Sequence, residues 1–336
     1  MNKTRKSIIA GNQISEVRTF QLGGVDQKVL IEGKSSDLPI LITLHGGPGS
    51  PIPFNVGARG LFPAFTDQCI LVCWDQYGSG INNAVLPDDI CIDRLVSMTA
   101  DLIEALRNQF PRNRIYLFGM SWGSVLAAKA IRLQRQNLHG VLVYGQVLFD
   151  LMKSEDTIAA IIDSKAPLKV KEFVKSYRAA STRSAKMSMK MSGYVRKYTN
   201  GYMNSKESKA PLGSMIKGIF FSPDYRLADF LAIIQNGYTK NHRIMDELDQ
   251  IDLRDELRQM SIPYHMIQGE TDVVTSTKSV RNLVDAAGNP NLSYTIIPNA
   301  AHMPGAYGMQ AILDEIAKLR SGITLPEKEC IVMERS

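Results

Sequence analysis

The stretch LFGMSWGSVL, residues 117–126, decides the fold class of this chain. It places Ser121 between two glycines in the spacing G-x-S-x-G, directly after the apolar run 114–119 and directly before a helical pattern at 122–135. A serine in such a strand–turn–helix junction is pushed out of the sheet, where its hydroxyl can act as a nucleophile. The alternative is a serine that only caps the following helix.

Short apolar runs alternate with helical patterns along most of the chain. The runs have the near-continuous apolar character of parallel strands covered on both faces, and they span 39–46, 69–75, 114–119, 140–145, 263–269 and 293–298. The helical patterns span 95–110, 122–135, 275–287 and 306–320. The segments 16–22 and 27–33 predict an antiparallel hairpin at the sheet edge. Together they predict an α/β fold with a mostly parallel, doubly wound sheet.

One long segment interrupts this alternation. From residue 147 to residue 253 the pattern is helical, with breaks at prolines and glycines and no convincing strand. A helical insertion between two strands of the sheet is the simplest explanation. We therefore expect a core formed by residues 1–146 and 254–336, and a helical cap formed by residues 147–253.

The bulk composition is that of an ordinary globular protein. The chain has 336 residues, of which 44% are hydrophobic and 21% charged. No run approaches the roughly 18 apolar residues that cross a bilayer, and the N-terminal apolar run is shorter than the roughly 7–15 residues of a secretory signal. The four cysteines lack the spacing of a disulfide framework or a zinc site. We expect a cytoplasmic protein without membrane insertion, and the oligomeric state stays open.

The positive charge is concentrated in one part of the chain. The net charge is +6, but residues 165–209 alone carry +10 and the remainder carries −4. We favour a solvated helical face whose lysine stems lie over apolar neighbours. Attraction of an anionic substrate or surface is the alternative. Because the charge is confined to this segment, we expect no nucleic-acid partner.

A nucleophilic serine needs a base and a carboxylate to orient that base. Among the five histidines, His302 follows the last predicted strand by four residues, in a loop that can fold over the serine. Asp272 comes directly off the strand 263–269, and the resulting order Ser, Asp, His is typical of this architecture. Glu270 and Asp285 are alternative carboxylates.

The segment LHGGPGS, residues 44–50, follows another predicted strand and presents unobstructed glycine backbone. Attack on a carbonyl develops negative charge on its oxygen, which N–H donors must receive. We expect the N–H groups of Gly47 and Trp122 to form such an oxyanion hole, with the N–H of Gly46 as the alternative donor. A Gly-Pro-Gly turn without chemical purpose is the alternative.

Five motifs occur in a family-specific order. HGGPG, WDQYGSG (74–80), GMSWGS (119–124), GETD and the His302 loop resemble the proline iminopeptidase family of α/β-hydrolases. The resemblance covers the whole chain, closely in the sheet-forming parts and loosely in the insertion. It implies a core with a helical cap, release of an N-terminal residue, often proline, from short peptides or amides, and no metal or organic cofactor. It also implies Ser121, Asp272 and His302 as the catalytic residues.

The chain departs from the family in two places. Tyr77 stands where the family usually has arginine, and Asn82 stands where it has serine. The cap is basic, although aminopeptidases of this group hold the substrate's α-amino group with acidic cap residues, because a buried ammonium needs a carboxylate. The candidate substrate-binding residues are Gly46, Glu155, Glu207 and Asp224.

Three functions remain open at this stage. The first is a serine aminopeptidase that releases proline or a small apolar residue from short peptides. The second is a carboxylesterase or lactonase with the same triad, since an ester substrate needs no ammonium anchor. The third is a non-catalytic protein that uses the pocket to hold a small ligand.

Overall fold

The structure is a computed structural model that describes residues 3–51, 59–149, 151–181, 183–204, 206, 221–236 and 242–321. Eight strands form one sheet in the order β1-β2-β4-β3-β5-β6-β7-β8. The strands are β1 (Ile14–Leu22), β2 (Val25–Gly33), β3 (Ile40–Leu44), β4 (Ile70–Trp74), β5 (Ile115–Met120), β6 (Gly140–Tyr144), β7 (Tyr264–Gly269) and β8 (Leu292–Ile297).

The strand directions follow the sequence pattern. Strands β3 to β8 are parallel to one another, whereas β1 and β2 form an antiparallel hairpin that joins the sheet through β4. Every residue of β3, β4, β5, β6 and β7 is buried, as continuous apolar runs covered on both faces require.

The described helices are α1 (Lys3–Gly11), α2 (Pro63–Thr66), α3 (Ile92–Gln109), α4 (Trp122–Gln134), α5 (Glu155–Ile162), α6 (Leu168–Ala179), α7 (Ala185–Tyr198), α8 (Leu227–Asn236), α9 (His242–Asp249), α10 (Arg254–Arg258), α11 (Thr277–Ala287) and α12 (Ala306–Ser321). Helices α3, α4 and α11 bury side chains against one face of the sheet, and α2 and α12 do so against the other. This two-sided cover confirms the predicted doubly wound α/β fold.

The connection between β6 and β7 is helical. Helices α5 to α10 lie in it, and among its described residues there is no strand, only an isolated bridge between Phe149 and Asp252. Side chains from α6 and α7, including Tyr177 and Val195, belong to the same apolar cluster as the sheet. The division of the chain into a cap of residues 147–253 and a core on either side stays a prediction; below, residues 147–253 are called the insertion.

The basic residues of the insertion fall into two groups. Most of the described lysines are exposed, and some lie over aromatic rings, as Lys190 does 4.3 Å from the centre of the Phe173 ring. Arg183 differs, because it is buried and its Nε lies 2.9 Å from Asp249 Oδ2. Part of the positive charge is therefore neutralised inside the protein, and the rest faces solvent.

Helix α4 approaches strand β3 without room for a side chain between them. A Cβ on Gly123 would lie 1.9 Å from the carbonyl oxygen of Leu44, and a Cβ on Gly119 would lie 2.8 Å from the carbonyl oxygen of Gly123. Both neighbours are backbone atoms, which cannot rotate away. The two glycines of the G-x-S-x-G motif are therefore needed for the packing of the helix on the sheet.

Replacing Gly123 with alanine is expected to lower the free energy of unfolding by about 3 kcal/mol or more, because the new methyl group overlaps rigid backbone. Urea denaturation followed by circular dichroism measures this change. Gly193→Ala is the control, since Gly193 lies in α7 with open space at its Cβ position. That variant should be neutral or more stable by about 0.5–1 kcal/mol, and an equal loss in both would contradict the packing argument.

Candidate active site

Ser121 occupies a strained turn between β5 and α4. Its φ of 50° and ψ of −117° lie outside the regions that non-glycine residues normally adopt. Its N–H donates to the carbonyl oxygen of Tyr144 (2.9 Å), and its carbonyl oxygen accepts from Ser124 N–H (2.8 Å). These bonds hold the turn, so that the hydroxyl projects beyond the carboxyl edge of the sheet.

The structure brings His302 to Ser121 across 181 positions of sequence. His302 Nε2 lies 3.0 Å from Ser121 Oγ, and His302 Nδ1 lies 2.9 Å from Asp272 Oδ2. A carboxylate can only accept from Nδ1, so Nδ1 carries the proton and Nε2 is left to accept the serine proton. This is the geometry that a nucleophile, its base and an orienting carboxylate require.

The Asp272 carboxylate is buried but fully hydrogen-bonded. Its Oδ1 accepts from the N–H groups of Val274 (2.8 Å) and Thr275 (3.0 Å), and its Oδ2 accepts from the Thr275 hydroxyl (2.7 Å) as well as from His302. Thr275 Oγ1 also lies 3.3 Å from His302 Nδ1. Four donors thus offset the cost of burying the charge and fix the oxygen that faces the imidazole.

The alternative carboxylates lie elsewhere. Glu270 is exposed and accepts from the N–H of Asn299 (2.8 Å), while Asp285 is exposed on α11 and lies 3.7 Å from Arg281. Neither contacts the imidazole of His302. Among the rival carboxylates, only Asp272 reaches that ring.

The HGG segment lies against the serine turn. A Cβ on Gly46 would be 3.6 Å from Ser121 Cβ, so the backbone of this loop passes directly beside Ser121. Gly47 has a φ of 118°, and within the described part of the chain neither its N–H nor that of Trp122 has a protein acceptor. Both donors are therefore available to a developing oxyanion.

The segment after β4 is anchored to the rest of the fold by Tyr77 and Asn82, the two residues that depart from the family pattern. Tyr77 packs against the core, and the amide of Asn82 donates to the carbonyl oxygens of Asp75 (2.7 Å) and Lys28 (2.8 Å). Asn82 Oδ1 also accepts from the Lys28 N–H (2.7 Å). The residue that departs from the family pattern therefore ties this loop to strand β2.

Near this edge of the sheet, Asp75 is a buried carboxyl group with a strongly shifted pKa. Its Oδ2 accepts from the Tyr225 hydroxyl (2.5 Å) and the Ile81 N–H (2.8 Å), whereas its buried Oδ1 has no hydrogen-bond partner among the described residues. Burial raises the pKa of Asp75 to about 7, the two hydrogen bonds oppose that rise, and the charge of Asp229 adds to it. Asp75 is thus partly protonated near neutral pH.

The predicted substrate-binding acids have other partners or fall outside the described residues. Glu155 is exposed and pairs with Arg178 at 2.5 Å, and Asp224 is held by Arg59, with 2.8 Å between Arg59 Nε and Asp224 Oδ2. Glu207 lies outside the described residues. Neither described acid forms a hydrogen bond or ion pair with the serine, the histidine or the glycine loop, and their role in substrate binding stays a prediction.

The insertion also contributes to the histidine loop. The N–H of His302 donates to the carbonyl oxygen of Gly201 (3.1 Å), and that of Met303 donates to the carbonyl oxygen of Tyr202 (2.9 Å). The rings of Tyr202 and His302 are 6.1 Å apart. Two backbone hydrogen bonds therefore fix the loop that carries His302 against the insertion.

Sequence reasoning missed two side chains that the structure brings to the site. Thr275 follows Asp272 by three positions, and Gln76 belongs to the motif WDQYGSG, yet no spacing rule assigns either a role. Gln76 bonds to two distant segments, at His45 and Trp122, whereas Thr275 donates to Asp272 within one turn. Among the described residues there is no cluster of potential metal ligands, and none of the helices in that part of the chain has the length and apolar character needed to span a bilayer.

Comparisons with known proteins agree with this architecture. A family model described as alpha/beta hydrolase fold matches residues 39–307. A "Probable aminopeptidase YbaC" of Bacillus subtilis is 24% identical over 302 residues, covering 87% of this chain and 92% of its own. A "Probable proline iminopeptidase" of Streptomyces coelicolor is 26% identical over 300 residues, covering 84% of this chain and 88% of its own. The resemblance to proline iminopeptidases is thereby confirmed.

Two solved structures share the fold. The crystal structure of VinJ has a TM-score of 0.62 at 19% identity and covers 92% of this chain and 99% of its own. A proline iminopeptidase of Mycobacterium smegmatis has a TM-score of 0.60 at 19% identity and covers 91% of this chain and 98% of its own. At these identities the likeness establishes the fold.

Removing the Thr275 hydroxyl is expected to slow the reaction of Ser121 with a fluorophosphonate probe. Thr275→Val should lower the labelling rate about tenfold, since a hydrogen bond to a charged group is worth about 1.5–3 kcal/mol, whereas Thr275→Ser should stay within about threefold of the parent. Labelling that is quenched at timed intervals and followed by intact-protein mass spectrometry gives the rates of the parent and of the two variants. Equal rates in all three proteins would show that the hydroxyl does not position the carboxylate.

Asp75 is expected to make stability depend on pH. Because its folded pKa of about 7 exceeds the unfolded value of 3.8, the folded state holds an extra proton, and the free energy of unfolding falls as pH rises from about 4 to about 7. A tenfold difference in proton affinity between the folded and unfolded states corresponds to about 1.4 kcal/mol. Urea unfolding at pH 5 and pH 8 should show that the free energy of unfolding of the parent falls relative to that of Asp75→Asn, since both proteins share every other titrating group; the same change in both proteins would contradict it.

Proposed function

Because this chain belongs to the alpha/beta hydrolase fold family, we propose that it is a serine hydrolase in which Ser121 is the nucleophile, His302 the general base and Asp272 the orienting carboxylate. The observation that carries this proposal is the continuous hydrogen-bonded series from Ser121 Oγ through His302 to Asp272, with distances of 3.0 and 2.9 Å. A binding protein has no need for an activated hydroxyl of this kind.

The reaction proceeds through an acyl-enzyme. His302 Nε2 takes the hydroxyl proton as Ser121 Oγ bonds to the substrate carbonyl carbon, and the oxyanion accepts from the N–H groups of Gly47 and Trp122. Collapse of the intermediate breaks the bond to the leaving group, which receives the proton from His302. Water, deprotonated by the same imidazole, then releases the acyl group and restores the serine.

For the substrate, we propose the amide bond after an N-terminal proline or small apolar residue of a short peptide. The motif pair HGGPG and S-W-G-S supports this choice, as do the names of two relatives that align over most of the chain, a probable aminopeptidase and a probable proline iminopeptidase. The substrate would enter at the carboxyl edge of the sheet, beside Gly46 and beneath the insertion.

A second candidate is hydrolysis of esters or lactones by the same residues. It is favoured because both described candidate acids already form ion pairs within the protein. Glu155 pairs with Arg178, and Asp224 pairs with Arg59. A buried substrate ammonium requires a carboxylate partner, whereas an uncharged ester does not. The recognition of the free amine therefore separates the two candidates.

A matched pair of substrates tests the proposal. The parent protein should cleave L-prolyl p-nitroanilide and leave N-acetyl-L-prolyl p-nitroanilide nearly untouched, because only the first presents an ammonium. Ser121→Ala should lower kcat by at least about a thousandfold and abolish fluorophosphonate labelling. Release of p-nitroaniline, followed by its absorbance, measures turnover.

Other outcomes of the same assay would support the alternative functions. Turnover of p-nitrophenyl acyl esters without cleavage of any aminoacyl anilide would replace the peptidase proposal with the esterase. If no substrate turns over and Ser121 is not labelled, the chain is a ligand-binding homologue, and the proposed function is wrong.

A further inference from the structure

Gln76 lies between the two backbone segments that would form the oxyanion hole. It follows strand β4 by two positions and is 2% exposed. Its Nε2 donates to the carbonyl oxygen of His45 (3.1 Å), and its Oε1 accepts from the indole N–H of Trp122 (2.8 Å). One planar amide thus bridges the loop that carries Gly47 to the residue that follows the nucleophile.

The backbone of Gln76 makes a third contact with the same loop. Its N–H donates to His45 Nε2 (2.9 Å), while His45 Nδ1 donates to the carbonyl oxygen of Gly46 (2.9 Å). Burial lowers the pKa of His45 to about 4, so the ring is neutral at ordinary pH. A neutral ring has one donor and one acceptor, and both are used here to hold the start of the HGG segment.

The two donors depend on this bridge for their relative position. The N–H of Gly47 belongs to a loop after β3, and that of Trp122 belongs to the first turn of α4. An oxyanion hole stabilises charge only when both N–H groups point at the single position the oxygen will occupy. Gln76 is in hydrogen-bond contact with both segments, whereas neither donor is held by an acceptor of its own among the described residues.

We propose that Gln76 is a positioning residue that sets the separation of the two oxyanion-hole donors. It touches no reacting atom, and it acts through His45 and Trp122. The inference rests on the proposed function in one respect, namely that the N–H groups of Gly47 and Trp122 receive the oxyanion. Its loss should weaken binding of the tetrahedral intermediate and leave binding of the ground-state substrate unchanged, because only the intermediate carries the negative charge.

The chain contains a matched control for this residue. Gln27 is 1% exposed, its Oε1 accepts from the indole N–H of Trp74 (2.9 Å), and its Nε2 donates to the carbonyl oxygen of Leu22 (3.2 Å). It repeats the same glutamine–tryptophan bond inside the core but makes no contact with the serine, the histidine or the glycine loop. Gln27→Met therefore reproduces the loss of a buried amide without disturbing the proposed hole.

The test compares Gln76→Met with Gln27→Met. Methionine keeps the volume of glutamine and removes both hydrogen-bonding groups. We expect Gln76→Met to lower kcat about 10- to 100-fold with KM within about threefold, as for loss of an interaction made only in the transition state. Affinity for a boronic acid, which forms an anionic tetrahedral adduct with serine, should fall by a similar factor. Gln27→Met should lose stability alone.

Two results would overturn the inference. One is a kcat for Gln76→Met equal to that of Gln27→Met, which would assign Gln76 to core packing. The other is a raised KM with unchanged kcat and unchanged boronate affinity, which would assign it to substrate binding.

Further measurements keep the inference testable if a variant does not fold or no substrate is found. Trp122→Phe removes only the indole arm of the bridge and should lower kcat and boronate affinity by a smaller factor than Gln76→Met. Fluorophosphonate labelling requires only the serine, its base and the oxyanion donors. If the parent is labelled but cleaves no substrate, the peptidase proposal fails. Slower labelling of Gln76→Met than of the parent would then still support the inference, and equal labelling rates would reject it.

Discussion

The candidate site depends on the close approach of helix α4 to strand β3. Gly123 has no room for a Cβ against the carbonyl oxygen of Leu44, and Ser121, two positions before it, enters this helix with a φ of 50°. Such a backbone conformation is unfavourable for serine and persists only because surrounding bonds determine it. Ser121 projects beyond the sheet for this reason, and the remaining groups of the site are placed relative to it.

Around that turn, burial and hydrogen bonding set the environment of each titratable side chain. Asp272 is buried with four donors on its carboxylate, so it can orient the imidazole. Asp75 is equally buried but has one oxygen without a partner among the described residues, and burial raises its pKa to about 7. His45 has partners for both ring nitrogens yet is fully enclosed, which lowers its pKa to about 4. Burial thus favours the neutral form of both Asp75 and His45.

The insertion contacts the residues of the candidate site. Its residues Gly201 and Tyr202 accept hydrogen bonds from the histidine loop, and Tyr225 donates to Asp75. Asp224 pairs with Arg59, which lies outside the insertion. The position of His302 and the environment of Asp75 therefore both depend on contacts with the insertion.

The sequence by itself determined the order of the strands and of the four helices that pack on the sheet, the doubly wound sheet, and the serine turn, because these follow from local apolar periodicity and from glycine spacing at one junction. It also singled out Asp272 and His302, since each directly follows a predicted strand at the same sheet edge. Only the tertiary structure decided that Gln76 bridges His45 to Trp122 and that Asp224 is held by Arg59. Such contacts join side chains whose direction depends on packing between distant segments, and no periodicity of the chain encodes that direction.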